Sequence, residues 1–227
     1  MMNKEMSTES ALPDNSTGSQ SCVVEQADKE RMLAYRTWAA AFSYPNDAFF
    51  AHLPELAEDR QSLVAEYDRL FRAGVVWLYG AEHLVKNEFQ RANLLADIMG
   101  FYTAFGLEPD LERPDSISCE MDFMHYLILK RDRLGSRAGA DDAEDKADIC
   151  RDAEKKFFVE HLEPAATAIA RGILAQTNNP FYKQAGEGVL EFLSCEREHF
   201  GLASDAGQGE KDNHPIKGRP SSHEKEE

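Results

Sequence analysis

The chain has 227 residues, of which 42% are hydrophobic and 29% are charged, and its formal net charge is −16 at pH 7. This length supports one good-sized core, and the charge argues against a nucleic acid partner, because phosphate binding needs a basic surface. The acidity suits either a basic protein segment as partner or simple solubility. Since no long apolar run occurs, the sequence predicts no transmembrane span and no signal peptide, and we expect a cytoplasmic protein.

The two ends of the chain are polar and carry few large apolar groups. We therefore predict disordered tails at residues 1–28 and 201–227, which flank a single helical domain at 29–200. The cysteines lie far apart and lack the paired spacing of a zinc site or a redox motif, so they are predicted to be free thiols. They are Cys22, Cys119, Cys150 and Cys195.

Apolar residues recur at helical spacing through most of the region 29–200. Three helices are predicted before residue 75. The first ends before Pro45, a short second helix begins at Asn46 or Asp47, and the third ends at Gly74. Their apolar faces are Met32, Tyr35, Ala39 and Phe42 in the first helix, and Leu63, Tyr67 and Leu70 in the third.

The segment 75–79 is a β-like run, but a lone strand has no sheet to join, so we predict a buried connector there. A long helix follows and is predicted to end at Gly106 and Pro109. Because two neighbouring apolar stripes run along this helix, we expect it to be the central one, buried on a wide face. The stripes are Val85, Phe89, Ala92, Ala96 and Met99, and beside them Leu95, Ile98, Tyr102 and Phe105.

An acidic loop and a helix start come next. Pro114 favours an extended Arg113, and Asp115 or Ser116 can then cap a helix that runs to about Arg131. Its apolar stripe is formed by Ile117, Met121, Met124 and Ile128.

The rest of the chain is predicted to be helical after a small, acidic, exposed loop at 135–145. Helices resume near Lys146, Pro164 restarts or kinks the run, and a last helix opens at Pro180. No internal repeat is visible. Together these patterns predict one all-α domain, a helical bundle of about eight helices.

Several short motifs are spread over residues 30–198: Glu66-Tyr67-Asp68-Arg69-Leu70-Phe71, Met99-Gly100-Phe101-Tyr102-Thr103-Ala104-Phe105-Gly106-Leu107, Glu112 with Asp115-Ser116-Ile117, Glu120 with Phe123-Met124, Phe158-Val159-Glu160-His161-Leu162, and Pro180-Phe181-Tyr182. They resemble the motifs of the TorD/DmsD-like redox-enzyme maturation chaperones, which include NarJ-like proteins. Two departures stand out. Ser116 lies where that family usually has histidine, and a Pro-Tyr-Glu type segment is replaced by residues 77–82.

The resemblance implies an all-helical TorD-like fold and a chaperone without a cofactor or turnover of its own. Such a chaperone binds the apo catalytic subunit of a molybdenum oxidoreductase of the dimethyl-sulfoxide-reductase type, often through its N-terminal twin-arginine signal. It assists insertion of the bis-pterin molybdenum cofactor and delays export. The resemblance also allows a homodimer formed by exchange of helices, and a version in which the client's N-terminal tail is not exported. The replacement at Ser116 favours that second version.

A receptor for a twin-arginine signal needs carboxylates near an apolar groove. Methionine suits such a groove because its flexible side chain adapts to different ligands, although the same spacing is typical of plain core. The predicted client-binding residues are the acidic Glu112, Asp115 and Glu120, the apolar Met121, Phe123 and Met124, the divergent Ser116, and Tyr79 with Glu82 from the replaced segment.

An enzyme is the alternative from a different class. Glu196 and His199 have the Glu-x-x-His spacing of helical di-iron carboxylate proteins, and Asp122 with His125 is a second approach to that pattern. Such a site needs a second Glu-x-x-His and two further glutamates. No phosphate-binding glycine loop and no nucleophile motif is present, so the sequence favours a binding protein that is not an enzyme.

Overall fold

The computed structural model describes residues 16–109, 112–135 and 142–203, and these residues form an all-α bundle, as predicted. The π-helical turn Phe158–Leu162 joins α7 to α8 in one continuous helical run directly before Pro164, which cannot donate a backbone hydrogen bond. The α-helices are α1 (Ser16–Ala41), α2 (Asp47–His52), α3 (Arg60–Tyr67), α4 (Gly80–Leu84), α5 (Glu88–Ala104), α6 (Ile117–Gly135), α7 (Ala143–Phe157), α8 (Glu163–Gln176) and α9 (Pro180–His199).

The centre of the bundle is α6, which packs between α1 and α7, while α9 packs on α8 and also reaches α1. The prediction that the helix before it is central was wrong. In α5 only Ile98 and Tyr102 are buried, and Phe89 is 75% exposed. The spacing of apolar residues identifies which of them share a helix face, but it does not say whether another element covers that face.

The first helix begins earlier than predicted. α1 starts at Ser16, inside the segment 1–28 that was expected to be a disordered tail. Asp28 is buried and forms an ion pair with Arg131 of α6, at 2.7 Å, so this turn of α1 is tied to the central helix. The rest of the two predicted tails, residues 1–15 and 204–227, lies outside the described residues.

Several predicted helix ends are confirmed. α9 begins at Pro180, and the side chain of Asn179 accepts hydrogen bonds from the backbone N–H groups of its first turn. The chain leaves α5 through Gly106, whose φ of 74° is a conformation that glycine adopts without strain. α6 continues to Gly135, past the predicted end near Arg131.

A buried ionic network fastens α1 to α9. The guanidinium of Arg31 donates from Nε and Nη2 to the two carboxylate oxygens of Glu196, each at 2.7 Å, and the hydroxyl of Tyr35 donates to the same carboxylate at 2.6 Å. Glu154 of α7 lies 3.6 Å from Arg31. Because both carboxylates are buried, their pairing with arginine is required for this packing.

Candidate functional site

The connector 75–79 is buried on one side only. Val76 and Leu78 are buried, whereas Val75 and Trp77 are 46% and 45% exposed. This alternation is that of an extended strand, in which successive side chains point to opposite faces. The prediction of a buried connector is therefore half correct, since its second face is an exposed apolar surface.

The connector also finds a pairing partner, which a lone strand was not expected to have. A single antiparallel bridge joins Tyr79 to Ser116, and the N–H of Gly80 donates to the carbonyl of Asp115 at 2.9 Å. Gly80 packs closely at this point, because a Cβ atom there would lie 3.1 Å from that of Ala165. The bridge holds the acidic loop 112–116 against the start of α4.

Asp115 is fully buried and links three parts of the site. Its carboxylate accepts a hydrogen bond from the N–H of Ala81 in α4, at 3.0 Å. The guanidinium of Arg113 binds both carboxylate oxygens, with Nε donating at 3.0 Å and Nη2 at 2.9 Å. The carboxylate of Asp115, one of the two residues predicted to cap α6, thus serves the first turn of α4 and a neighbouring arginine.

Arg113 is enclosed by further groups. Its Nη1 donates to Glu82 at 2.9 Å, and its guanidinium lies over the ring of Tyr79, 4.3 Å from the ring centre. Arg91 of α5 also donates to Glu82, and the hydrogen bonds from Arg91 and Arg113 lower the pKa of this carboxyl to about 2. We refer to Tyr79, Glu82 and Asp115 as the arginine cradle.

Glu112 and Ser116 frame this cradle. Glu112 is exposed and accepts hydrogen bonds from the hydroxyl of Tyr79, at 3.1 Å, and from the N–H of Arg113, at 2.9 Å. Ser116, at the position where the resemblance expects histidine, is only 6% exposed. The loop therefore presents Glu112 to solvent and turns Ser116 inward.

Glu120 lies behind the cradle, near Gly80, and is 1% exposed. Its Oε2 has no hydrogen-bond partner among the described residues. Burial, and then the charge of Asp115, raise the pKa of this carboxyl well above its ordinary value. Because it is buried, Glu120 does not supply the surface charge that the sequence suggested.

The predicted apolar groove is not present in this conformation. Met121 and Met124 are fully buried, and Phe123 is 3% exposed and packs edge-on against Tyr102 and Phe157. All three belong to the core because α6 is covered on both sides. Their assignment to client contact stays a prediction that this conformation does not favour.

An open cleft of about 280 Å³ lies between α6 and the end of α5. Cys119 and Asp122 of α6 line it together with Phe123 and with Leu107 and Pro109 beyond α5. Cys119 is half-buried, and burial raises the pKa of its thiol to about 11. Such a thiol is inert at neutral pH, and Cys150 and Cys195 are free thiols as well.

Sequence reasoning missed the apolar and basic parts of the site. Trp77 adjoins the cradle, with its ring 6.4 Å from that of Tyr79, and Phe89 is exposed at the start of α5. The β-like run at 75–79 was the available signal for Trp77, because an extended segment points successive side chains to opposite faces. No sequence signal identifies Arg91 and Arg113 as partners of Glu82, because such pairs depend on the fold.

The described residues give no support to the di-iron alternative. Both carboxylate oxygens of Glu196 are bound by Arg31, so this side chain is part of the ionic network and not a metal ligand with His199. His125 points Nδ1 at the carbonyl of Met32, at 2.9 Å. The pattern failed because helical spacing does not reveal which partner a buried carboxylate takes.

Among the residues that the structure describes, one group of side chains has donor atoms close enough together for a metal ion. Donor atoms of Asp97, Glu160 and His161 lie within 4.8 Å of one another. Burial lowers the pKa of His161, and Lys156 lies 3.9 Å from Glu160, where its charge opposes a cation. The expectation of no bound metal stays a prediction.

Comparison with known proteins identifies a family for this chain. Residues 28–170 match the family described as the nitrate reductase delta subunit. The chain belongs to this family. It is a NarJ-related redox-enzyme maturation chaperone, and the resemblance read from the sequence motifs is confirmed.

A characterised relative agrees with this assignment. The chaperone is 27% identical over 179 residues, 74% of its own chain and 88% of the relative, to the selenate reductase assembly chaperone protein of Thauera selenatis. No solved structure gave a significant match. Family and relative indicate a molybdoenzyme assembly chaperone and not an enzyme. None of the helices in the described residues has the length and apolarity needed to cross a membrane.

Proposed function

We propose that this chaperone works in the cytoplasm on the apo catalytic subunit of a molybdenum oxidoreductase of the dimethyl-sulfoxide-reductase type. It binds the N-terminal signal or tail of that subunit, assists insertion of the molybdenum cofactor, and delays export where the client is exported. The chaperone contributes no cofactor and performs no turnover.

The arginine cradle is the observation that supports this proposal and locates the client-binding site. A guanidinium between two carboxylates and over a tyrosine ring makes charge-assisted, bidentate and cation–π contacts, which together favour arginine over lysine. The chaperone already binds one guanidinium there, that of Arg113. An arginine near the N-terminus of a client finds the same chemistry in Tyr79, Glu82 and Asp115.

The apolar part of the client contact lies beside the cradle, on the exposed face of the connector. Trp77 and Val75 form this face, and Trp77 is next to Tyr79. Exposed large apolar side chains rimmed by charged groups are typical of protein-binding surfaces. We assign the apolar residues that follow the client's arginine to this face, instead of to the buried Met121 and Met124.

In a second version of this function, the chaperone binds a client's N-terminal tail that is not exported. The match to the nitrate reductase delta subunit family supports it, as does the buried Ser116 at the position of the usual histidine. The relative from Thauera selenatis assembles a selenate reductase, and a reductase of related type is the client we propose here.

The client is tested in the native host grown anaerobically. A tagged chaperone should co-purify with the precursor of a molybdenum-enzyme catalytic subunit, identified by mass spectrometry. In a deletion strain that subunit should be made but contain little molybdenum. Normal molybdenum content in the deletion strain would refute the proposed function.

The binding face is tested with a synthetic peptide that has two adjacent arginines followed by leucines. Trp77→Ala should weaken peptide binding about tenfold, because a large aromatic contact at the centre of a small interface is lost. Ile149→Ala is the matched control, since Ile149 is 59% exposed on α7 and has no place in the site. Equal affinities of the two variants in calorimetric titration would move the client contact elsewhere.

A further inference from the structure

The arginine cradle is already filled. Arg113 binds Asp115 with two nitrogen atoms, Glu82 with a third, and the ring of Tyr79 with its face. These contacts use the groups that would receive an arginine from a client. A client arginine and Arg113 therefore cannot make them at the same time.

Arg113 is well placed to leave. It lies in the loop 112–116 outside the helices, and its side chain is 34% exposed. Arg91, the second arginine on Glu82, is fixed to α5 and does not reach Asp115 with a hydrogen bond among the described contacts. Exchange of one guanidinium for another at Asp115 and Glu82 keeps the local charge constant.

The free chaperone needs an occupant. Asp115 has no exposed surface, and a buried carboxylate without a cation is strongly unfavourable. Arg113 supplies that cation when no client is present. The same contact lowers the apparent affinity for a client arginine, because only chaperone molecules with an open cradle can bind it.

We infer that Arg113 is an internal substitute for the client's arginine, which binds by displacing it from Asp115, Glu82 and Tyr79. This inference rests on the proposed function, because it concerns the same site. It adds that the affinity for clients is set by competition within the chain.

Replacement of Arg113 should have opposite effects on the stability of the chaperone and on its affinity for a client. Arg113→Ala should lower the melting temperature of the free chaperone, because Asp115 loses its cation. It should also tighten binding of the two-arginine peptide by about tenfold, as expected if Arg113 fills the cradle for about nine-tenths of the time. A residue that only maintained the fold of the loop would lower stability and affinity together.

The control variant is Arg151→Ala. It removes the same charge from an exposed pair with Asp148 on α7, so it reproduces the change in net charge without touching the cradle. Arg113→Gln is the second variant, since glutamine keeps a hydrogen-bond donor for Asp115 and protects the fold if alanine does not. The titrations use the full chain and a control peptide with both arginines replaced by glutamine.

Three outcomes are distinct. If wild type binds both peptides equally, arginine recognition fails and the proposed site fails with it. If wild type prefers arginine but Arg113→Ala and Arg113→Gln bind no tighter than Arg151→Ala, Arg113 is not a competitor and the inference is overturned. If they bind tighter and the arginine-free peptide gains nothing, the inference holds.

A direct readout follows the side chain itself. In the free chaperone the Nε–H of Arg113 donates to Asp115 at 3.0 Å and should give a protected side-chain signal in ¹⁵N nuclear magnetic resonance, assigned by its loss in Arg113→Gln. Addition of the two-arginine peptide should remove that protection. A signal that stays protected in the saturated complex would show that Arg113 is not displaced.

Discussion

Glu120 is a carboxyl group that the fold holds away from water and beside the carboxylate of Asp115. Burial is the larger cause and the neighbouring charge the smaller one, and both raise its pKa above the ordinary value of 4.5. The folded chain therefore keeps the proton of Glu120 at a pH at which the unfolded chain has released it. Stability from this group is complete below the unfolded pKa and is lost as the pH rises towards the folded pKa.

Glu120→Gln tests this linkage, because glutamine has a similar shape and does not ionise. The free energy of unfolding of this variant, relative to wild type, should increase as the pH rises above the ordinary pKa of 4.5 towards the raised pKa of the folded chain. Urea unfolding of both proteins at each pH measures the difference. Glu191→Gln, at an exposed position of α9, is the control for replacing a glutamate by glutamine. A constant difference for Glu120→Gln would mean that Glu120 is ionised in the folded chain.

The ion pairs of two arginines in the site could not be predicted from the sequence. Asp115 and Glu82 were identified as functional candidates from the chain alone, but Arg113 and Arg91 were not identified as their partners. Side chains of α4, α5 and the acidic loop meet only because the Tyr79–Ser116 bridge aligns them. Sequence patterns report local spacing, and this site joins the segments 79–91 and 112–116, which are distant from each other in the chain.

At the level of helices, capping chemistry was more informative than apolar spacing. The start of α9 after Asn179 and the end of α5 at Gly106 follow from local residue properties, so they were predictable. Which of α5 and α6 lies at the centre of the bundle was not predictable. Both carry apolar stripes, and only the packing of α1 and α7 on α6 decides which stripe is core.

Glycines within helices offer a test of that packing. Gly100 in α5 has open space around it, so Gly100→Ala should raise the free energy of unfolding by up to about 1 kcal/mol through helix propensity alone. Gly188 in α9 faces Trp38 of α1, and a Cβ atom there would lie 2.6 Å from the ring. Gly188→Ala should therefore destabilise the chaperone by about 1 kcal/mol or more.

Urea unfolding at one pH compares the two glycine variants with wild type. Because both substitutions carry the same gain in helix propensity, their difference reports the contact between α1 and α9. Equal stabilisation by both variants would indicate that Trp38 moves aside freely, and that this contact is looser than described.

At the scale of the whole molecule, two charge systems have separate tasks. Arg31 and Arg131 form ion pairs with the buried Asp28, Glu154 and Glu196 and thereby join α1, α6, α7 and α9. Breaking such a network by removing one partner is typically destabilising by about 3–5 kcal/mol, because a buried charge loses its counterion. This network is distant from the loop 112–116 and serves the fold.

The second system is the surface, where the net charge of −16 acts over a longer range. An acidic chaperone attracts a basic N-terminal segment and raises the rate of encounter, an effect that falls as ionic strength rises. The choice between a basic partner and simple solubility was open in the sequence. In the proposed function, the cradle is the place on this acidic surface that holds a client arginine, and this proposal favours the basic partner.

The position of Arg113, two residues from Asp115 in the chain, also bears on selectivity. A group tethered so closely competes at an effective concentration of about millimolar or higher, whatever the dilution of the protein. Free arginine, or an isolated arginine on an unrelated protein, rarely outcompetes such a neighbour. A client segment that also contacts Trp77 can outcompete Arg113. Under the proposed mode of binding, the tether sets a threshold that ligands with a single contact do not pass, and it reserves the chaperone for clients that bind both the cradle and Trp77.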